Sequence, residues 1–271
     1  MKRLMQTLVP LMAMFLLAFS ASAHDYDFTV NGICYSINDS DGRDACKVVR
    51  SHQGYAGDIT IPSKVKYRGK TYRVVSIAEK SFAGCRGLKS IKIGGLTSIG
   101  ESAFADCKWL KRVRLDNITH IGRKAFSGCT GLTDLRMSNI TQIGDNAFSG
   151  CKGLTSLKLS VITHIGDSVF ADCAGLTKVE LRSITNIGSY AFSGCRGLTI
   201  ADIGAVTTIS AYAFWNCSGL RNVTLDYVTS IGDNAFGQCP RLKRVNVEKV
   251  TKYEDSAFDA GVRLSGRTNH R

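Results

Sequence analysis

Cysteines recur at a constant interval along most of this 271-residue chain. A thiol can form a disulfide, ligate a metal, take part in redox chemistry or pack as a small apolar side chain. Which of these it does depends on how far the fold places each thiol from the next. Eight cysteines follow one another at intervals of 22 residues, without an insertion or a deletion: Cys85, Cys107, Cys129, Cys151, Cys173, Cys195, Cys217 and Cys239.

The interval predicts that these thiols are stacked. Self-similarity at this period is typical of a solenoid, in which equivalent residues of successive coils lie about one strand spacing apart, roughly 4.8 Å. A disulfide prefers Cβ atoms at ~3.8 Å, which is closer than in-register coils place them. We therefore predict a core ladder of reduced, buried thiols, with disulfides or metal and redox chemistry as the alternatives. Metal binding lacks matching histidines, because His120 and His164 share a column but stand two coils apart.

Two further cysteines lie outside this ladder. Cys34 and Cys46 flank the segment "SINDSDGRDA", in which Asp39 to Gly42 is a strong turn signal. A hairpin centred on Ser40 would place the two cysteines opposite each other. In an exported chain such a pair can form a disulfide, so Cys34–Cys46 is a possible bridge.

The residues between the cysteines predict the elements of each coil. Phe stands three residues before each cysteine and Leu three residues after it, and Phe258 and Leu264 continue both columns into a ninth coil, where Gly261 replaces the cysteine. Two more apolar residues follow at alternate positions, which indicates a short strand with one buried face. The pattern Thr-x-Ile-Gly then predicts a second extended piece, and "DNAF" predicts one helical turn. Its N-caps would be Asp145, Asp167 and Asp233.

These residues resemble a known family. The string L-x-x-L-x-L, followed by apolar-Thr-x-Ile-Gly-x-x-Ala-Phe-x-x-Cys, is similar to the BspA-like, Treponema-type leucine-rich repeat and extends from Ser76 to Leu264. The resemblance implies an exported bacterial surface or adhesion-type protein. The chain departs from the family in its coil, which is one residue shorter, and in lacking the family's C-terminal capping segment. The expected fold is an α/β repeat solenoid, a leucine-rich-repeat arc of about nine 22-residue coils with a parallel sheet of short strands.

The ends of the chain suggest its organisation and its destination. Lys2 and Arg3, an apolar run and Ala21-Ser22-Ala23 are typical of a secretory signal peptide. We predict a signal peptide at 1–23, an N-terminal β-rich cap at 24–75, the solenoid at 76–264 and a polar tail at 265–271. After residue 23 no apolar run reaches the ~20 residues of a membrane span. The protein is thus expected to be secreted, on the cell surface or periplasmic.

Charge patterning indicates where a ligand would bind. The formal net charge is +13, and most of it lies between Arg43 and Arg136. Seven residues after each of the first four ladder cysteines stands a basic residue, on the side of the strand that faces solvent. Like charges about one strand spacing apart repel each other unless something compensates them. The candidate ligand-binding residues are Lys89, Lys92, Lys111, Arg112, Arg114, Arg136 and Lys158.

These features favour binding over catalysis. The chain contains neither a nucleophile elbow nor an acid and base pair outside the repeating columns, so no enzymatic activity and no cofactor are predicted. The expected partner of the basic strand face is a protein or an anionic glycan, host-derived ones included. Nucleic acid is not expected, because the chain is exported and few aromatic residues interleave the charges. The alternative is a structural module that self-associates weakly, end to end, through Val245 and Val247 of an uncapped C-terminal coil.

Overall fold

The computed structural model describes residues 26–38, 44–159 and 161–266. The predicted signal peptide at 1–23 and the predicted turn from Asp39 to Gly42 lie outside these residues, as do positions 267–271 of the predicted tail. No helix in the described part of the chain has the length and apolar character needed to cross a membrane.

The N-terminal region is made of strands that lead into the solenoid. The first six strands are β1 (Phe28–Val30), β2 (Ile33–Asn38), β3 (Ala45–Val48), β4 (Ala56–Ile61), β5 (Lys64–Tyr67) and β6 (Lys70–Ile77). Antiparallel pairing joins β1 to β2, β2 to β3, and β5 to β6. Strand β3 pairs in parallel with β6. Because β6 ends at Ile77, it crosses the boundary that the sequence places after residue 75.

Each later coil contributes one longer and one shorter strand. The longer strands are β7 (Gly87–Ile93), β9 (Arg112–Leu115), β11 (Asp134–Met137), β13 (Ser156–Leu159), β15 (Lys178–Leu181), β17 (Ile200–Asp202), β19 (Asn222–Thr224), β21 (Arg244–Asn246) and β23 (Arg263–Ser265). The shorter strands are β8 (Ser98–Ile99), β10 (His120–Ile121), β12 (Gln142–Ile143), β14 (His164–Ile165), β16 (Asn186–Ile187), β18 (Thr208–Ile209), β20 (Ser230–Ile231) and β22 (Lys252–Tyr253).

These strands stack into two parallel sheets along the solenoid. The longer strands stack on one side of the coils, beginning where β4 pairs with β7, and the shorter strands stack on another side, beginning where β6 pairs with β8. The cap therefore extends both sheets instead of forming a separate layer. Among the described residues, pairing of the longer strands is absent between β19 and β21. The predicted repeat solenoid of about nine coils is confirmed.

The third side of each coil consists of turns, which corrects the helical turn predicted from "DNAF". Backbone groups there bond to the next coil, as when Phe148 N donates to Val169 O over 2.9 Å. The predicted N-cap carboxylates also act between coils, since Asp145 Oδ1 accepts from Asp167 N at 3.0 Å. Bonding between coils satisfies these backbone groups without a helix. Within the described residues the single helical segment is a 3₁₀ turn at Asp255–Ala257, so the coils are β rather than α/β.

The core is a set of stacked columns. The phenylalanine rings lie nearly parallel, with centroid distances of 4.7 Å between Phe82 and Phe104 and 5.2 Å between Phe126 and Phe148. The leucine and cysteine columns flank this stack and are buried along the solenoid. Each ring inside the stack covers two others, so removing one would leave a cavity bounded by both neighbours.

Both sheets are interrupted at the same coil junction. In the described part of the chain, no strand pairing joins β11 to β13 or β12 to β14. The turn side of the same junction remains bonded, because Gly150 N donates to Ala171 O over 2.7 Å. The coils therefore separate on the sheet sides and stay joined at the turns.

The C-terminal coil corrects the prediction of an uncovered edge at Val245 and Val247. Strand β23 pairs in parallel with β21, with Leu264 opposite Val245, and both valines are buried. The ninth coil reaches its strand three residues early, so Leu264 occupies a strand position and does not continue the leucine column. The edge proposed for end-to-end assembly is therefore covered, and Ser265 belongs to β23 and not to a tail.

Candidate functional site

The ladder thiols are free, buried and hydrogen-bonded in the structure. Each thiol from Cys107 to Cys239 donates to the carbonyl of the phenylalanine in the preceding coil, for example Cys107 Sγ to Phe82 O at 3.0 Å. Burial raises the pKa of Cys173 and of Cys239 to about 12. A thiol whose pKa is raised in this way stays protonated near neutral pH and is a poor nucleophile or metal ligand.

Cys34 and Cys46 do not face each other, and both are free. The register of β2 with β3 pairs Cys46 with Ile37, three residues from Cys34. Because side chains alternate along a strand, Cys34 projects from the face opposite Cys46. Cys34 instead lies near Thr29, with 3.7 Å between Sγ and Oγ1. The possible disulfide is thus not formed, because the hairpin is not centred on Ser40.

The strand register aligns part of the predicted basic column. Lys92 of β7 pairs with Arg114 of β9, and Arg114 pairs with Arg136 of β11. Lys158 does not continue this register, because the sheet is interrupted between β11 and β13. It lines a small cavity at the interruption together with Met137 and Leu159. The face is thus continuous from β7 to β11, and Lys158 lies beyond its end.

Carboxylates compensate the arginines of this face. Asp134 lies between two of them, with its Oδ2 3.3 Å from Arg114 Nη2 and its Oδ1 3.7 Å from Arg136 Nε. Asp58 Oδ1 lies 4.0 Å from Arg112 Nη2 and also accepts a hydrogen bond from Ser90 Oγ. These surface pairs contribute little stability, but they place a carboxylate beside each arginine and so lower the net positive charge there.

The lysines of the face remain uncompensated. Lys89, Lys92 and Lys111 are exposed and form no ion pair with any residue that the structure describes. Lys89 and Lys92 lie on β7, and Lys111 directly precedes β9. The positive field of the strand face is therefore strongest at its N-terminal end, since the arginines share carboxylates and the lysines do not.

A groove of about 590 Å³ lies at this end of the face. Its volume falls within the ~300–1,000 Å³ that small-molecule sites occupy. Basic and acidic side chains line it around one indole ring, and its residues are Asp58, Arg86, Gly87, Lys89, Trp109, Lys111, Arg112, Thr133 and Asp134. Lys92 and Arg114 line an adjoining, smaller depression, which shares Asp58 and Arg112 with the groove. Five of the seven predicted residues thus line the groove or its adjoining depression, and Arg136 lies on the same face beside Asp134 of the groove.

Trp109 is the residue that the charge pattern did not predict. Two residues after the ladder cysteine, six of the eight coils have glycine, and Trp109 and Arg241 are the exceptions. A Cβ at Gly131 would lie 2.5 Å from Lys108 O, and one at Gly153 would lie 2.7 Å from Leu132 O. In the coils that carry glycine a side chain would therefore displace the preceding coil, and the interruption of the column by a tryptophan was a signal available in the sequence.

The coil that precedes Trp109 leaves room for a side chain at this position. Strand β7 begins at Gly87, which pairs with Ala56, so this segment is extended from the second residue after its cysteine. Other coils begin their strand later, as β9 does at Arg112. Gly87 presents no side chain beneath the indole, and Trp109 is left 62% exposed. The N-terminal cap thus creates the space that the groove occupies.

Metal-ligating side chains are not clustered on this surface. Among the described residues, no group of three or more His, Cys, Asp or Glu side chains could hold a metal ion. Asp58 and Asp134 are the acidic residues of the groove, and each has a basic or hydroxyl partner.

Comparisons with known proteins agree with this architecture. A leucine-rich cell surface protein from Faecalibacterium prausnitzii A2-165 shares the fold at 22% identity and a TM-score of 0.52, with 88% of this chain and 86% of that chain covered. A leucine-rich repeat protein from T. pallidum is similar at 25% identity and a TM-score of 0.59, with 80% of this chain and 90% of that chain covered. No curated protein sequence matches the chain significantly.

The family assignment comes from the repeats themselves. A family model described as a BspA type leucine-rich repeat region, in six copies, matches residues 58–174 and again residues 141–264. The first match begins inside β4, so it includes the strand of the cap that starts the longer-strand sheet. Because the two matches together extend over well more than half of the chain, the protein belongs to the BspA-type leucine-rich repeat family.

Proposed function

We propose that this is an exported, non-catalytic binding protein that recognises an anionic partner, an acidic protein or an anionic glycan, through its basic strand face. The observation that carries the proposal is the set of uncompensated lysines at the start of the face, Lys89, Lys92 and Lys111. Like charges held on neighbouring strands repel each other, and a bound anion would relieve that repulsion. Membership of a leucine-rich repeat family supports a binding role.

A charge reversal with a matched control tests this proposal. Lys111 and Lys243 both stand four residues after a ladder cysteine, at opposite ends of the solenoid, and both are exposed. Lys111→Glu and Lys243→Glu change the net charge equally. We expect the wild type to bind immobilised heparin or poly-L-glutamate, Lys111→Glu to elute at clearly lower salt, and Lys243→Glu to elute close to the wild type.

Two outcomes would contradict the proposal. Equal losses in the two variants would mean that the column senses net charge and not the basic strand face. A wild type that neither matrix retains at low salt would mean that the face does not bind anions.

Export is a separate part of the proposal, and it rests on the charged and apolar residues before Ala23. Removal of residues 1–23 would leave a chain that begins at His24. We expect the intact mass of the protein recovered outside the cytoplasm to match that chain. Recovery from cells of a protein that retains Met1 would contradict export by a cleaved signal peptide.

A further inference from the structure

We infer that the groove around Trp109 is a subsite for an acidic pyranose, a uronate or sulfated sugar unit of a glycan, which stacks on the indole. This inference rests on the proposed function of the basic strand face and names the ligand chemistry at one end of it. Its starting point is an aromatic residue that coil packing does not require.

The position of Trp109 separates it from the structural columns. The equivalent residue in six other coils is glycine, because a side chain there would collide with the preceding coil. Trp109 does not fill the core, since the ring is 62% exposed and sits in the groove. A large exposed indole gains little for folding, whereas tryptophan is among the residues that contribute most to binding.

The groove combines three kinds of contact that suit an acidic sugar. The indole offers a flat apolar surface, against which the C–H face of a pyranose can pack. Lys89 and Lys111, which have no ion pair among the described residues, can bind a carboxylate or sulfate. Asp58 and Asp134 supply oxygens that can accept hydrogen bonds from sugar hydroxyls.

The same two carboxylates disfavour an acidic peptide in this groove. The Asp and Glu side chains of such a peptide are ionised at neutral pH and can only accept hydrogen bonds. Asp58 and Asp134 would therefore repel them, and the peptide side chains have no donor that could compensate. A sugar unit carries its negative charge at one substituent and donors around the rest of the ring. The groove therefore complements a ligand with one anionic group and several hydroxyls.

Tryptophan fluorescence and calorimetry can test the inference on the full chain lacking residues 1–23. The chain has two tryptophans, so Trp215→Phe leaves Trp109 as the only tryptophan whose emission is followed. The probes are a hyaluronan oligosaccharide, a heparin oligosaccharide, a neutral chitin oligosaccharide and poly-L-glutamate. We expect at least one acidic oligosaccharide to change Trp109 emission, and the neutral one to bind at least about tenfold more weakly.

Trp109→Gly is the decisive variant, because it installs the residue that other coils carry and leaves the charge unchanged. We expect it to weaken binding of the acidic oligosaccharide about tenfold or more, while Trp109→Phe, which keeps an aromatic face, loses less. Poly-L-glutamate binding should be unaffected by Trp109→Gly.

The outcomes separate this inference from the proposed function. If Lys111→Glu abolishes binding of the acidic oligosaccharide but Trp109→Gly leaves it within twofold, the basic strand face binds anions and the sugar subsite is refuted. If Trp109→Gly weakens poly-L-glutamate as much as the oligosaccharide, the groove recognises acidic peptide and the inference is wrong. If the wild type binds none of the acidic probes, the proposed function itself fails.

Discussion

Alkaline pH should destabilise the solenoid, because unfolding exposes thiols that the core keeps protonated. Burial raises the pKa of Cys173 and Cys239 from an ordinary value of 9.0 to about 12, and it raises the pKa of Cys151, Cys195 and Cys217 well above 9.0. A thiol whose pKa is higher in the folded chain than in the unfolded chain stabilises the folded state. This contribution to the free energy of unfolding is fully present below the unfolded pKa of about 9. That contribution is lost as the pH rises from 9 toward 12.

The structure sets the size of this effect. One pKa unit corresponds to ~1.4 kcal/mol, so each thiol ionised only in the unfolded chain lowers the free energy of unfolding by about 1 kcal/mol between pH 9 and pH 10. The five thiols above and Cys46, whose pKa burial raises to about 11, together give about 6 kcal/mol, against a total stability of ~5–15 kcal/mol for a typical domain. The buried tyrosines Tyr35 and Tyr55, whose pKa values burial also raises from an ordinary 10.0, start to ionise in the unfolded chain only as the pH approaches 10, so together they add less than one thiol's share in this window.

Urea unfolding followed by far-ultraviolet circular dichroism, in the presence of a reductant, measures this dependence. The slope of the free energy of unfolding against pH counts the protons released on unfolding. In Cys195→Ala the loss of stability between pH 9 and pH 10 should be smaller than in the wild type by about 1 kcal/mol, one thiol's share. A wild-type loss below about 1 kcal/mol would refute the reasoning, as would an unchanged slope in Cys195→Ala.

Three further predictions test the packing. Phe148→Ala should lower the free energy of unfolding by about 3–5 kcal/mol in urea titrations, because the ring stacks between two others. Tyr227→Ala, at a 65% exposed ring, should cost less than ~0.5 kcal/mol, and equal costs would contradict the stacked core. By hydrogen exchange, the Thr155 amide at the interrupted junction should exchange faster than Thr177, whose amide donates to Thr155 O at 2.8 Å; equal protection would mean that the junction is closed. Val247→Lys should lower the thermal unfolding midpoint, because the charge would be buried beneath β23, and an unchanged midpoint would mean that β23 does not cover it.

The repeating part of the fold could be predicted from the sequence because every coil meets a copy of itself. When the same residue recurs every 22 positions, its neighbours in the next coil are known without a structure, and the columns of Phe, Leu and Cys follow directly. The side of the strand on which Lys92 and Arg114 lie follows from alternation along the chain. The resemblance to the BspA-like repeat predicted the solenoid fold, and the match to the family model agrees with that prediction.

Tertiary structure decided the features that the repeat does not specify, and most of them lie where neighbouring segments are not copies of each other. The pairing register of β2 with β3 separates Cys34 from Cys46, and the turn sequence does not specify that register. The carboxylate of Asp145 accepts a hydrogen bond from the next coil, whereas the local sequence predicts that it caps a helix. Strand β23 covers Val245 because the last coil is shorter than the period.

The groove around Trp109 has the same origin. Its tryptophan is visible in the sequence as a departure from the glycine column, but the space around it is created by β4 of the cap pairing with the early start of β7. Periodicity therefore determined what each coil repeats. Contacts of the cap and the last coil decided the features at the two ends, because they join segments that have no counterpart elsewhere in the chain, and bonding between neighbouring coils decided the role of Asp145.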